Sequence, residues 1–541
     1  MRLTKKAGRT LCVCLALILC TASLLACDLG RHKEIDDNFR VYYEIFVRSF
    51  ADGDSDGIGD LKGAREKLDY IAELGATGVW LMPIMPSETY HKYDVKDYMA
   101  IDPEYGTIDD FKEFVEACHK KNLRVVIDMD INHTSSAHPW FIAACDYLRS
   151  LPEGTKLEGD AAKADPAGKY VEYYNFSDEQ VNGDYYPVTG TPYYYEGVFW
   201  EEMPDLNLSC AELKEELKAV CDFWLNLNVD GFRMDAAGHY LEESDDFNIE
   251  ILGEIYEYCK AKNPDFYMVS EVWESEATFS KYYNSRTPSF FNFDLAGPEG
   301  KIIKAAKGTL PAEKLVNAMI VYENDFSQGN PEYIDAPFVT NHDMGRVANA
   351  LSSDEASVKF AGGLNLIMRG APFIYYGEEI GMKSKGTKDE NKRLAMQWGD
   401  GNQYMCTNPP EADEGIEQTF GSLQSQQGNP DSIYAYYKNA IEVRRNNPAI
   451  ARGNTQLIGV WEDGNVAAIK RTYGEDNSIV VINTGEYCEV SLESMKAVDY
   501  DVEPDKLEID GMMLIDNSLK AEYKNHMLKL PSKSIIVMRS R

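Results

Sequence analysis

Eight short apolar runs, separated mostly by stretches of helical periodicity, constrain this chain more than any other feature of its sequence. They fall at 41–47, 78–83, 124–129, 231–235, 267–271, 290–293, 337–340 and 372–376. Runs of that length suit buried strands. Between them, Leu61, Ala64, Leu68 and Ile71 recur on one helical face before Gly75, a residue that ends helices readily. Leu213, Leu217, Val220, Trp224 and Leu225 form a second face, preceded by Ser209-x-x-Glu212, the pattern of a capping box. Strands alternating with helices in this way predict an α/β fold, a (β/α)8 barrel, which needs about 250 residues or more.

The chain has 541 residues, more than one such barrel uses. Two departures from the alternation show where the excess goes. Between the third and fourth runs lie about 100 residues rich in Tyr, too many for a plain connection. They predict a small inserted domain over 134–204, with the barrel divided into 38–133 and 205–449. The tyrosines at 170–195 are expected beside the barrel mouth, where their faces suit flat hydroxylated ligands. Past residue 449 the helical periods stop, and runs such as 465–472 and 478–483 alternate with turns. A C-terminal antiparallel β-sandwich over 450–541 is expected.

The N-terminus reads as a targeting segment. Arg2, Lys5, Lys6 and Arg9 precede an apolar run over 11–26, short for a membrane-spanning helix. Leu24-Leu25-Ala26-Cys27 resembles a bacterial lipobox, with 1–26 as signal peptide, Cys27 as lipidated N-terminus and 27–37 as tether. The expected location is the extracellular side of a bacterial membrane, with the lipid as the sole membrane contact. Lys+Arg 54 against Asp+Glu 89 give a net charge of −35. So acidic a surface repels phosphate backbones, and no nucleic-acid partner is expected. The seven Cys after position 27 are scattered and odd in number. They read as core thiols rather than as a disulfide framework or a zinc site. A monomer is expected.

In a barrel, chemistry collects at the C-terminal ends of the strands. Reading those ends in order gives His133, Asp235, Glu271 and Asp343. A single Asp at a strand end is often only a helix N-cap or a loop ion pair. Three carboxylates at matching barrel positions imply a task, because unpaired buried carboxylates are costly. Two suffice for glycoside hydrolysis, one as nucleophile and one as acid/base. Arg233 lies two residues before Asp235, on the same face of its strand, where a fixed cation keeps that carboxylate ionised.

These segments resemble the motifs of the α-amylase family, family 13 of the glycoside hydrolases. Asp128-Met-Asp-Ile-Asn-His133 is similar to the family's first motif and Gly231-Phe-Arg-Met-Asp235 to its nucleophile motif. Glu271-Val-Trp resembles the acid/base motif, Val339-Thr-Asn-His-Asp343 the fourth, and Met203-Pro-Asp-Leu-Asn207 the motif closing the inserted domain. The resemblance implies Asp235 as nucleophile, Glu271 as acid/base and Asp343 as the group that binds sugar hydroxyls and favours ring distortion. It implies Tyr93 as stacking platform, with Asp94 beside it, and Arg233, His133, His239 and His342 as further sugar-site residues. Its substrates would be starch-like α-glucans and maltooligosaccharides. One departure stands out: Gly238-His239 replaces the Lys-His pair common in the family, which puts leaving-group affinity in question. Segments 372–379 and 393–398 also resemble the family and read as structural, with Tyr376 and Trp398 as further candidates for the cleft.

Asp52, Asp54, Asp56, the carbonyl of Ile58 and Asp60 form a calcium-type loop, with acids at alternate positions around turn glycines. Position twelve is Gly63, so it is not an EF-hand. A second calcium site, implied by the family, would use Asn132 and the carbonyl of His239. The leading expectation is a calcium-dependent, retaining hydrolase of α-1,4 bonds in starch-like polymers. The runner-up is an exo-acting α-glucosidase or transglycosylase on short oligosaccharides, from which Met203 leans away. A lipoprotein that only binds sugar has no need of the Asp235/Glu271 pair.

Overall fold

In the computed structural model, which describes residues 37–152, 154–157, 166–497 and 502–540, seven of the eight apolar runs assemble into one parallel sheet. The expected signal segment and Cys27 lie outside the described residues. Tyr42–Ile45 (β1), Gly78–Leu81 (β2) and Arg124–Met129 (β3) come first. The insertion follows with Phe176–Ser177 (β4), Tyr185–Pro187 (β5) and Tyr194–Glu196 (β6). The barrel resumes with Gly231–Met234 (β7), Tyr267–Ser270 (β8), Ser289–Phe290 (β9) and Phe373–Tyr375 (β10). The sheet order is β10-β1-β2-β3-β7-β8-β9, every pair parallel.

The seventh expected strand, 337–340, does not form. The segment before and around it nevertheless bonds to both edges. Ile334 N–H donates to Pro288 O (2.7 Å) and Asn292 N–H to Ala336 O (3.1 Å), while Ala371 and Phe373 N–H donate to Asp335 O (2.7 Å) and Pro337 O (2.9 Å). It closes the ring as an irregular stave. Pro337 has no N–H to donate, so a regular ladder is broken there.

Period-two alternation sorts the strand residues. Tyr43, Ile45, Val79, Leu81, Val125, Ile127, Phe232 and Met268 face outward into the large core shared with the helices. Tyr42, Trp80, Val126, Tyr267, Val269 and Phe373 fill the barrel interior, where Tyr42 stacks between Tyr267 (5.1 Å) and Phe373 (4.9 Å). The same inward phase then reaches Glu44, Asp128, Arg233 and Glu271. Gly231 is required by close approach: a Cβ there would lie 2.2 Å from Tyr267 O.

Two helical expectations change in detail. The Leu61–Ile71 face is buried as read, but on two helices, Leu61–Glu66 and Leu68–Leu74, with Gly75 at φ 103 after the second. The helix Ala211–Asn226 begins one residue later than the capping box requires. Cys210 is its N-cap and makes no side-chain cap bond. Ser209 N–H instead donates to Asn207 Oδ1 (3.1 Å), a local turn that competes with capping.

The insertion has its own small antiparallel sheet, β4-β6-β5. Its tyrosines do not present the row of free faces expected of them. Tyr173, Tyr174 and Tyr193 are buried, and Tyr185, Tyr186, Tyr194 and Tyr195 are half-buried. Phe141 packs edge-on to Tyr174 (5.1 Å) and Tyr195 (4.9 Å), so the aromatics mainly form this unit's core.

The C-terminal region carries Gln456–Trp461 (β11), Val466–Tyr473 (β12), Asp476–Asn483 (β13), Cys488–Ser491 (β14), Leu507–Met513 (β15), Glu522–Lys524 (β16), Met527–Leu530 (β17) and Ser534–Ser540 (β18). Sheets β11-β12-β13-β18-β15 and β14-β17-β16 are antiparallel. They share one core, with Val466, Val481 and Ile536 from the first and Val490, Leu528 and Leu530 from the second. Among the described residues no helix is long and apolar enough to cross a membrane, and all seven cysteines are free.

Candidate active site

Inward alternation delivers Arg233 from β7 to the barrel axis with only 1% of its surface exposed. Its Nη1 donates to Asp128 Oδ1 (2.8 Å) and to Asp235, and its Nη2 donates to Glu271. One guanidinium thus gathers carboxylates from the ends of β3, β7 and β8. One cation cannot neutralise three anions. Burial pushes the Glu271 carboxyl up to about 8, with Asp235 and Asp343 adding to the rise and Arg233 opposing it. Burial likewise pushes Asp128 up to about 7 against the pull of Arg233.

A second cluster stands beside the first. His342 is fully buried; its Nδ1 lies 2.6 Å from Glu44 Oε1, and its Nε2 lies 3.0 Å from Asp343 Oδ2 and 2.6 Å from the Tyr93 hydroxyl. Burial disfavours the imidazolium, but Asp343 and Glu44 outweigh it and raise the group to about 9. Doubly protonated, it donates on both sides. Tyr93 then donates to Asp128 Oδ2 (3.3 Å), linking the two clusters. Arg393 Nη2 donates to Asp343 Oδ1 (2.9 Å). Burial would raise Asp343, yet His342 and Arg393 hold it below the usual carboxylate range.

His133 follows β3 and pairs with Asp130 (2.6 Å), which raises it to about 9 despite burial. Asp94 is buried and turned to the loop: Ser87 and Thr89 hydroxyls and Glu88 N–H (3.2 Å) donate to it. Its role is to hold the segment carrying Tyr93. His239 is half-exposed, 2.6 Å from Glu242 and edge-on to Phe199. Tyr376 and Trp398 are buried; they donate to Leu394 O and Phe50 O (both 2.6 Å) and are structural.

Glu44, Arg393 and Phe199 were not singled out from the sequence. Glu44 had a visible signal, a lone acid inside an apolar run. Arg393 opens a segment read as structural, and its pairing with Asp343, 50 residues away, has no sequence signal.

In the acidic loop, Asp52, Asp54 and Asp60 bring carboxylate oxygens within 4.8 Å of one another. Asp52 Oδ1 accepts from Asp54 and Ser55 N–H and its Oδ2 from Gly57 N–H (2.7 Å), with Gly57 at φ 93. Asp60 accepts from Gly53 and Gly63 N–H, and burial raises its pKa, with Asp54 and Asp52 adding to the rise. Asp56 is exposed and stands outside the group, accepting from Ile58 N–H (2.7 Å). Hard oxygen donors at this spacing fit a metal cation. At the second implied site, Asn132 Nδ2 donates to Asp205 Oδ1 (3.3 Å).

Comparison with known proteins points to one family. The family profile described as Alpha amylase, catalytic domain, matches residues 44–453. Alpha-amylase 3 of Dictyoglomus thermophilum is 37% identical over 455 residues, covering 82% of this chain and 84% of that protein. The solved structure of Eubacterium rectale Amy13B superposes with a TM-score of 0.88 at 42% identity, covering 94% of this chain and 97% of that one. The alpha-amylase from H. orenii superposes with a TM-score of 0.78 at 32% identity, over 93% of this chain and 100% of that one.

Proposed function

This chain belongs to the α-amylase family, glycoside hydrolase family 13, and on that premise we propose that it is a retaining, endo-acting hydrolase of α-1,4 bonds in starch and maltooligosaccharides. Asp235 attacks the anomeric carbon and forms a glycosyl ester. Glu271 protonates the leaving oxygen, then takes a proton from the water that hydrolyses the ester. The observation that carries this reading is the single Arg233 guanidinium shared by Asp235 and Glu271. Two carboxylates on one guanidinium suit the about 5–5.5 Å separation of retaining enzymes better than the about 6.5–9.5 Å of inverting ones. A Glu271 carboxyl near 8 supplies the proton at neutral pH. Asp343, kept ionised by His342 and Arg393, accepts sugar hydroxyls and favours positive charge developing on the ring.

We further propose that the cation at Asp52, Asp54 and Asp60 is calcium, which prefers such oxygen ligands. It would hold the loop after β1 and take no part in the chemistry. Export and lipid attachment at Cys27 complete the reading. The test is chromatography of early products from starch, alongside viscosity. Mixed oligosaccharides and falling viscosity before glucose accumulates are expected. Glucose as the main early product, with maltose cleaved as well as maltohexaose, would make the protein an exo-acting α-glucosidase.

A further inference from the structure

The insertion's tyrosines are buried or half-buried, and more exposed aromatic rings stand at Phe199 and Trp273. Phe199 is 47% exposed and Trp273 50% exposed. An exposed Phe alone means little. This one is fixed in a particular place. Its ring centre lies 5.5 Å from the His133 imidazole and 5.3 Å from that of His239. Its backbone is tied on both sides: Val198 N–H donates to Asp205 Oδ2 (3.0 Å) and Met203 N–H to Trp200 O (2.8 Å).

From His239 the surface continues to Gly238, where a Cβ would meet only Val272, at 3.7 Å. Val272 lies between Glu271 and Trp273, whose ring stacks on Phe293 (4.8 Å, 18°). The strip from Phe199 through His239 and Gly238 to Val272 therefore runs beside the backbone of the acid/base residue, where Ala237 N–H donates to Glu271 O (2.9 Å). At its middle, Gly238 offers no side-chain donor to a departing sugar.

We propose that Phe199 is the platform on which the leaving-side glucosyl unit stacks, a specificity-determining contact in place of a polar one at position 238. The inference rests on the hydrolase reading above. The C–H face of a pyranose is apolar and matches the negative face of an aromatic ring. A ring held between two imidazoles is ordered before substrate arrives, so little freedom is lost on binding.

The test compares two substrates. Maltohexaose places sugar on both sides of the cleaved bond, whereas α-maltotriosyl fluoride releases only fluoride and leaves the proposed platform empty. Phe199→Ala should lower kcat/KM on maltohexaose by about tenfold and change it on the fluoride by less than about twofold. It should also lower the fraction of maltotriosyl transferred to added maltose. Phe199→Tyr should behave as wild type. A loss on the fluoride matching that on maltohexaose, unchanged maltohexaose kinetics, or a tyrosine variant as weak as the alanine one overturns the proposal. Wild-type protein inert on both substrates counts instead against the hydrolase reading, and removes this one with it.

Discussion

Arg233 donates through Nη2 to the Glu271 carboxylate and through Nη1 to that of Asp235, yet Glu271 still titrates near 8. Desolvation and two nearby carboxylates outweigh the shared cation at the acid/base position. The neighbouring guanidinium thus serves Glu271 without forcing it to ionise, and the pair is set for different tasks at one pH.

The first consequence is a pH limit. A general acid must carry its proton in the free enzyme, so kcat/KM on maltohexaose should fall as pH rises through about 8. A profile flat to pH 10 would mean that Glu271 is not the proton donor.

Asp235→Asn and Glu271→Gln should each lower turnover by about three or more orders of magnitude with folding unchanged. Azide separates the roles on α-maltotriosyl fluoride. With Glu271→Ala it should intercept the glycosyl ester and give an α-azide; with Asp235→Ala it should displace fluoride once and give a β-azide. Exchanged stereochemistry would exchange the assignments.

His342 links stability to pH. Its folded pKa of about 9 lies above the unfolded value of about 6.5, so its stabilisation is full below about pH 6.5 and is lost as pH rises through 9. Melting temperature should fall over that interval, and His342→Asn should lower it at pH 6 while flattening the slope. Calorimetry at pH 6 and 9 decides; a slope as steep as wild type removes His342 as a cause.

Chelation should lower the melting temperature, since a cation bound only by the folded state stabilises it by about 2.7 kcal/mol at a hundredfold excess over Kd. Asp54→Ala should abolish most of that response, because Asp54 belongs to the triad of carboxylates; Asp56→Ala should leave it nearly intact. Equal responses in both variants would place the important ion elsewhere.

Cys27→Ala should release the protein from the membrane fraction or stop its processing. Acyl chains on Cys27 would supply the apolar surface for anchoring, whereas an acidic body is repelled by anionic lipid. Processed variant that stays with the membrane would exclude lipidation at this residue.

Local pattern determined much of this protein. Apolar runs marked seven strands, because period and burial are written in consecutive residues. The inward phase of those strands placed Arg233, Asp235 and Glu271 together once a barrel was assumed. The same local logic failed where a neighbour competed, as at Ser209, whose N–H the Asn207 side chain took, and at Pro337, whose missing donor broke a ladder.

Closure of the barrel decided the rest. It brought Glu44 of the first strand to His342 and Arg393 to Asp343, contacts between residues 298 and 50 positions apart that no spacing rule links. It also decided which aromatics are free. Tyr173, Tyr174 and Tyr193 went into the insertion's core, while Phe199 stayed half-exposed against His133 and His239. Composition counts rings, but only packing sets which faces water, and substrate, can reach. The raised Glu271 carboxyl belongs to this second class, since desolvation is a property of the folded surroundings and not of the residue.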